Sequence, residues 1–384
     1  IHFEQRDPRI LYDLHKMNDG RHDAVTMVAY IPQHPKPGEI PENMTPKQYA
    51  DSIFDQISAI VKRENAYVSI AKTPHDLYLN KAQGRKSIML GIENGLAIET
   101  DIANVEHFAR RGITYITLCH NGDNDICDSA RGTGTHNGVS AFGEQVIHEM
   151  NRLGVMVDLS HGAEKSFYDA LEISKTPIVC SHSNCKALCD VPRNLTDDQL
   201  RALAARGGVA QTTMYHGFLR KETEATILDA VAHLEHAIDV MGIDHVGVGT
   251  DFDGDGGIVG MADASEMINF TIQLLRRKFS EEDIEKLFYS SNKKVAKVLA
   301  SHAKLTEEMM KILTKEESDY LRSSFAANPN LSADIIDILA CDESSYVRSA
   351  LAQNEALSEK DLRFLLNDNN YYVRTEAYKT LHKN

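Results

Sequence analysis

The sequence predicts an α/β fold built around a parallel sheet, followed by a small all-α appendage. Short apolar, β-branched runs alternate with amphipathic helical segments over most of the chain. Continuous apolar strands that are joined by helices are typical of a parallel sheet covered on both faces. From about residue 303 this pattern gives way to a short repeat. We therefore expect two domains, residues 1–302 and residues 303–384.

Seven segments have the length and composition of buried strands. They are residues 24–32, 87–95, 113–120, 154–161, 176–182, 207–215 and 244–254. A closed (β/α)8 barrel, or TIM barrel, requires eight strands. Either the sheet is open, or its first strand precedes Ile1, because the segment before residue 24 is typical of a loop and a short helix.

The helices between these strands begin at recognisable signals. The segments TPKQYADSIFDQISAIVKREN, TDDQLRALAARGG and ATILDAVAHLEHAIDVMG are amphipathic. In the second of them we expect Thr196 at the N-cap and Gly207 beyond the carboxyl end.

The tail contains a repeat with a period of 26 residues. Similar segments begin at residues 305, 331 and 357, and each unit ends with a tyrosine, an aliphatic residue and an arginine, at 320–322, 346–348 and 372–374. Recurrent leucine at a short period is typical of a helical solenoid. The units resemble leucine-rich-variant or HEAT-like repeats, and three unrelated amphipathic helices are the alternative.

Composition and charge exclude several classes of protein. The 384 residues include 41 basic and 56 acidic side chains, for a formal net charge of −15, so a nucleic-acid partner is not expected. A hydrophobic share of 42% excludes wholesale disorder. No apolar stretch has the length of about 18 residues that spans a membrane.

The cysteines bear on the cellular compartment. Six cysteines without a CxxC pair are too sparse for a disulfide scaffold, and we interpret the three in CSHSNCKALC as buried thiols rather than a metal cluster. Reduced thiols favour a cytoplasmic location. The first residues lack the features of a signal peptide, although an exported protein with its signal removed would look the same.

Polar residues interrupt the apolar strands only at their carboxyl ends. Glu93, His120, His161, His182 and Asp251 each end a predicted strand. In parallel α/β sheets, these ends and the loops after them converge on the active site. A single histidine at a strand end is more often a structural residue that is held by a hydrogen bond. Five polar residues at five strand ends would each need a separate buried partner, so a shared site is the simpler explanation.

These residue types are suited to a metal site. Imidazoles and a carboxylate bind Zn²⁺ or a similar divalent ion and leave positions open for water activation. Glu93 is the natural carboxylate to bridge two ions. Asp251 opens the glycine-rich segment DFDGDGG and could act as a general base or as a further ligand.

Other motifs are excluded by their spacing. Asp251, Asp253 and Asp255 imitate the start of an EF-hand loop, but its twelfth position is Ala262. There is no dinucleotide fingerprint, P-loop or GxSxG sequence. Ser160 is not expected to be a nucleophile activated by His161, because neighbouring residues of a strand point to opposite faces.

Five ordered blocks resemble the membrane (renal-type) dipeptidases, peptidase family M19. They are GIENG, TLCHNGDNDICDSA, GVMVDLSH, TPIVCSHSNCKALCDVPRNLTDDQLRALAARGGVAQ and HVGVGTDFDG, within about residues 10–300. The resemblance implies a barrel of the amidohydrolase type with a two-zinc centre, which hydrolyses dipeptides.

The resemblance also implies a role for each matching residue. Glu93 would bridge the two zinc ions, and His161 and His182 would bind the second one. His120 would polarise the scissile carbonyl and stabilise the tetrahedral intermediate. Arg193 would bind the carboxyl terminus of the substrate, and Asp251 would transfer the proton.

One part of the family pattern is absent. The first zinc of the family is also held by a His-x-Asp pair at the end of the first strand, and no His-x-Asp precedes Glu93 here. Together with the count of seven strands, this predicts that the first strand lies before Ile1.

We therefore expect a zinc metallodipeptidase acting on small dipeptides with a free C-terminal carboxylate. Two alternatives remain open: another amidohydrolase-type hydrolysis on the same barrel, and a catalytically inactive barrel that serves as a binding platform. The missing His-x-Asp pair favours the platform. Protein contacts through the tail and homo-oligomerisation are further expectations.

Overall fold

The chain forms two compact units, residues 1–269 and residues 270–384, which are described separately. The computed structural model describes residues 2–36, 39–280, 283, 311, 314–315 and 319–383. The domain boundary predicted at residues 302 and 303 and the first repeat segment at 305 lie outside the described residues. That boundary stays a prediction.

The first unit is organised around a parallel sheet. Its eight strands in the described residues are β1 (Ala24–Tyr30), β2 (Val68–Ile70), β3 (Lys86–Glu93), β4 (Ile113–Thr117), β5 (Met156–Asp158), β6 (Val179–Cys180), β7 (Val209–Thr212) and β8 (Val246–Val248). The order is β1-β3-β4-β5-β6-β7-β8, and β2 pairs with the beginning of β3. All seven predicted strands are present, whereas the three-residue strand β2 was not predicted.

The sheet curls but does not close within the described residues. Strands β1 and β8 are the two ends of the hydrogen-bonded order, so the sheet is open between them there. All paired strands in the described residues run parallel. The carboxyl ends of the strands consequently lie at one edge, as the sequence predicts for the candidate site residues.

Helices connect the strands and pack outside the sheet. They are α1 (Leu14–Asp19), α2 (Pro46–Arg63), α3 (Pro74–Ala82), α4 (Ala103–Arg111), α5 (Ala141–Leu153), α6 (Glu164–Ile173), α7 (Asp197–Ala205), α8 (His216–Leu219) and α9 (Ile227–Met241). A further helix, α10 (Met267–Arg276), crosses the boundary between the two units. Thr196 caps α7 by accepting a hydrogen bond from the backbone N–H of Gln199, as predicted. The buried rings of Phe54 on α2 and Phe108 on α4 meet edge to face, which joins neighbouring helices.

Helices of the second unit repeat one ion pair. The unit contains α11 (Asp319–Ala326), α12 (Ala333–Ala340), α13 (Ser345–Ala352), α14 (Glu359–Leu365) and α15 (Tyr371–Leu381). Arg322 donates two hydrogen bonds to Asp342, and Arg348 donates two to Asp368. The two pairs are 26 residues apart and link successive helices in the same way. They account for arginine at two of the three equivalent positions, whereas Arg374 donates to the backbone carbonyls of Asp368 and Asn369.

We expect Asp368→Ala to destabilise the helices around Arg348. The side chains of Arg348 and Asp368 are only 12% and 8% exposed, so the substitution leaves a largely buried guanidinium without its partner. Removing one member of a buried pair costs about 3–5 kcal/mol. Hydrogen exchange of the full chain, read at the amides of α13 and α15, should show faster opening.

The matched control is Glu359→Ala. Glu359 pairs with Arg363, but both side chains are 66% exposed. An exposed pair contributes less than about 1 kcal/mol. Similar protection in the two variants would contradict the importance of the buried pair.

Candidate metal centre

Three side chains converge at the carboxyl edge of the sheet. Nε2 of His161 is 2.9 Å from Nε2 of His182, and Oε1 of Glu93 is 3.4 Å and 3.3 Å from these two nitrogens. Both imidazoles are buried, and Glu93 is largely enclosed. Among the residues that the structure describes, these three side chains form a cluster that could hold a metal ion.

Strand ends bring the three residues together. Glu93 is the last residue of β3, while His161 and His182 follow the ends of β5 and β6. His161 has a φ of 72°, in the left-handed region that is unfavourable for residues other than glycine. Such strain persists where surrounding contacts impose it, and it is concentrated at functional sites.

Hydrogen bonds on the far side of each ring orient the two histidines. Nδ1 of His161 is 3.2 Å from Oδ1 of Asn121, and Nδ1 of His182 is 2.8 Å from Oγ of Ser181. If each Nδ1 carries the proton and donates it to these oxygens, each neutral ring has its lone pair on Nε2. Both lone pairs then face the shared space beside Glu93.

The arrangement fits a divalent cation. Two unprotonated Nε2 atoms 2.9 Å apart repel each other, and a cation bound between them would remove this repulsion. Ligand atoms about 2.0–2.1 Å from a tetrahedral zinc ion are separated by about 3.3 Å. The two distances from Glu93 agree with this separation. The donor set of two imidazoles and one carboxylate is typical of zinc sites with an open position.

The electrostatics of the cluster favour an ionised Glu93. Burial alone raises the pKa of Glu93, but its contacts with His161 and His182 outweigh burial and hold the pKa well below its ordinary value. Burial, aided by the nearby Arg193 charge, keeps the pKa of His161 well below its usual range. The pKa of His182 is raised, because Asp251 and Glu93 outweigh the opposing effect of burial.

His120 lies beside this cluster, three residues after the end of β4. Its ring is 4.2 Å from that of His161 and 4.9 Å from that of Tyr30, measured between centroids. Burial lowers the pKa of His120 to about 4, so the ring is neutral near pH 7. Its buried Nδ1 finds no hydrogen-bond partner within the described part of the chain.

Arg193 is a buried cation at the same site. It is 3% exposed, its Nη2 donates to the carbonyl of His182 at 3.1 Å, and its guanidinium lies 5.0 Å from the centre of the Phe218 ring. Burial lowers the pKa of Arg193 to about 10, which leaves it charged near pH 7. Its Nε has no partner among the described residues. A buried donor of this kind is suited to an anionic ligand.

Asp251 follows β8 and is electrostatically linked to the cluster. Burial raises its pKa to about 7, with Glu93 acting in the same direction and His182 and Arg193 opposing it. Asp251 has a φ of 56°, also in the left-handed region. Its carboxylate is not one of the three convergent ligands. The predicted role in proton transfer remains a prediction, as do the roles of the other site residues.

The excluded motifs have structural roles. Asp253 accepts hydrogen bonds from the backbone N–H groups of Leu11 and Tyr12, which fastens the N-terminal segment to the loop after β8. The hydroxyl of Ser160 accepts a hydrogen bond from the backbone N–H of His182. All six cysteines are free, and the three in CSHSNCKALC are buried, as predicted. Cys119 and Cys127 are buried as well.

The sequence analysis did not predict the residues that support the cluster. Asp158, Ser181 and Asn121 contact the histidines or the backbone that carries them. Their signal is local: an aspartate ends the apolar run of GVMVDLSH, and a serine directly precedes His182 in CSHS. Polar residues in the last positions of a buried strand need partners, and those partners lie at this site.

The sequence matches the family model of the membrane dipeptidases, peptidase family M19, over residues 2–310. The chain belongs to this family. It is 34% identical to dipeptidase verJ of Clonostachys rogersoniana over 292 residues, which are 73% of this chain and 74% of that protein. An uncharacterized dipeptidase of Schizosaccharomyces pombe is 41% identical over 211 residues, 53% of this chain and 51% of the relative. The M19 chain thus spans about half the length of the yeast relative.

A solved structure confirms the predicted fold class. The crystal structure of dipeptidase AC, a metallopeptidase of family M19, superposes with a TM-score of 0.67 at 25% identity. The match covers 74% of this chain and 88% of that chain. The predicted α/β barrel class and the family resemblance are therefore correct. No helix among the described residues has the length and apolar character needed to cross a membrane.

We expect His182→Ala to remove at least one equivalent of zinc from the M19 protein. The substitution deletes one of two imidazoles that share the proposed ion. Metal content after equilibration with zinc and gel filtration measures the loss. The matched control is His236→Ala, since His236 pairs with Asp197 away from the cluster. Unchanged metal content in His182→Ala would contradict the site.

Proposed function

We propose that this M19 protein hydrolyses dipeptides that have a free C-terminal carboxylate, with zinc as its metal. The supporting observation is the position of Arg193 beside three convergent metal-ligand side chains. It is a buried cation whose Nε has no hydrogen-bond partner in the part of the chain that the structure describes. A dipeptidase must recognise a free carboxylate at a short distance from the scissile bond. An arginine next to the metal ligands meets that requirement.

Glu93, His161 and His182 are the residues that would hold the metal. A divalent ion bound there supplies Lewis acidity, which lowers the pKa of water and polarises a carbonyl group. Glu93 is the ligand that two ions would share, as the resemblance to the family implies. The His-x-Asp pair expected for the first zinc does not occur before Glu93 in this sequence.

His120 is suited to stabilising the oxyanion of the tetrahedral intermediate. Its lowered pKa keeps the ring neutral, so it carries one N–H donor near pH 7. Since Nδ1 has no hydrogen-bond partner among the described residues, the ring can interact with substrate. A positioned donor aimed at developing negative charge is often the largest single contribution to catalysis.

Asp251 is suited to moving a proton. A carboxyl group with a pKa of about 7 accepts and releases protons readily near neutral pH. In hydrolysis it would accept a proton from the attacking water and pass it to the leaving amine. Asp251 lies within electrostatic reach of both Glu93 and Arg193, at the edge where the other site residues meet.

A second candidate function is a binding platform without catalysis. Metal content and dipeptide hydrolysis, measured on the natural full-length protein, separate the two functions.

We place the protein in the cytoplasm on the basis of its free thiols, with export as the alternative.

We expect an amidated dipeptide to be a much poorer substrate than the free acid. Loss of a charge-assisted, bidentate pair with Arg193 should cost about 2–4 kcal/mol, or roughly 30- to 1,000-fold in kcat/KM. Steady-state hydrolysis of matched substrates with and without the C-terminal carboxylate gives this ratio.

The variant Arg193→Gln should bring the two substrates close together in kcat/KM, because it removes the cation that distinguishes them. Arg201→Gln is the control, since Arg201 pairs with Asp198 on the surface. Equal rates on the two substrates with the unmodified enzyme would favour a different amidohydrolase-type reaction.

A further inference from the structure

We propose that Asp158, acting through Ser181, sets the tautomer of His182 so that Nε2 faces the metal site without a proton. Both are positioning residues, because they act on the ligand rather than on substrate. The inference rests on the proposed metal site. It adds a chain of hydrogen bonds, Asp158–Ser181–His182, that determines whether this histidine can bind a metal.

The carboxylate of Asp158 accepts four hydrogen bonds. Oδ1 accepts from the backbone N–H groups of Ser160 and Ser181, at 3.0 Å and 2.9 Å. Oδ2 accepts from the hydroxyls of Thr117 and Ser181, both at 2.6 Å. Asp158 is fully buried. Four donors occupy the acceptor positions of an ionised carboxylate, which has no proton to give.

The direction of the next hydrogen bond follows from this arrangement. A serine hydroxyl has a single proton, and the short contact with Oδ2 commits the proton of Ser181 to Asp158. Towards His182, Oγ of Ser181 can then only accept. Nδ1 of His182, 2.8 Å away, must be the donor. The neutral ring therefore has its lone pair on Nε2, the atom that faces His161 and Glu93.

Ser160 does not share this role. Its hydroxyl accepts from the backbone N–H of His182 at 3.0 Å, so it holds the main chain of the ligand. It lies 3.4 Å from the hydroxyl of Ser181, farther than Asp158 does. No contact between Ser160 and the His182 ring occurs in the hydrogen bonds of the described residues. Ser160 is consequently a matched control for Ser181.

The substitution Asp158→Asn should reverse the direction of the hydrogen bonds from residue 158 through Ser181 to His182, because asparagine has the same shape as aspartate but can donate. The two backbone N–H groups at Oδ1 cannot act as acceptors, so the carbonyl oxygen of asparagine must stay there. The amide nitrogen then occupies the Oδ2 position and donates to the hydroxyls of Thr117 and Ser181. The proton of Ser181 is free to turn towards Nδ1 of His182. The ring should then carry its own proton on Nε2, where it blocks metal binding.

The experiment is ¹⁵N NMR of the full-length, metal-free protein with labelled histidine, at a pH above the imidazole pKa values. The His182 resonances are assigned by their loss in His182→Gln. We expect an Nδ1–H ring in the wild type and in Ser160→Ala, and an Nε2–H ring in Asp158→Asn. Zinc affinity, measured by competition with a chelator, should fall about 10- to 100-fold in Asp158→Asn.

An unchanged tautomer and affinity in Asp158→Asn would overturn the inference. Should near-ultraviolet circular dichroism show that this variant does not fold, Ser181→Ala tests the same chain. It removes the acceptor of the Nδ1–H group, so we expect mixed tautomers and weaker zinc binding, with recovery in Ser181→Thr. Wild-type affinity in Ser181→Ala would also overturn it.

The same measurements separate this inference from the proposed function. If wild-type protein binds no zinc, the proposed metal site fails, whereas the tautomers of metal-free protein still report on Asp158 and Ser181. If His182→Ala abolishes zinc binding but Asp158→Asn and Ser181→Ala do not affect it, the metal site stands and the positioning role is wrong.

Discussion

The buried carboxylate of Asp158 is the interaction on which the candidate site depends. It receives hydrogen bonds from β4 through Thr117, from the end of β5 through Ser160, and from the segment after β6 through Ser181. Strands β5 and β6 are short and share a single paired register position. Side-chain hydrogen bonds therefore supplement the short backbone pairing at this edge. They also fix the spacing of the two histidines, which follow these strands directly.

Much of the fold could be predicted because its strands are buried on both faces. Continuous apolar runs identified seven strands, and their polar ends identified Glu93, His161 and His182 as neighbours. Strand β2 was not predicted because Val68–Ile70 has only three residues. Period and composition alone do not separate so short a strand from a loop.

The supporting residues could not be predicted for a different reason. Their partners come from separate strands and loops: Asn121 lies 40 residues from His161, and Asp158 lies 41 residues from Thr117. Nothing local in the sequence specifies such pairs. Arg193 illustrates the same limit. From the sequence it resembles a solvated arginine before a helix, yet it is 3% exposed, and nearby Asp251 and Glu93 help to keep it charged.

The left-handed backbone at His161 and Asp251 has an evolutionary consequence. Each such residue costs of order 1–3 kcal/mol relative to an unstrained conformation, and glycine would remove most of that cost. Selection for stability alone therefore favours glycine at both positions, and only the chemistry of the side chains opposes it. Among proteins of this fold, glycine at the positions of His161 and Asp251 would mark lineages that have given up the site and kept the barrel.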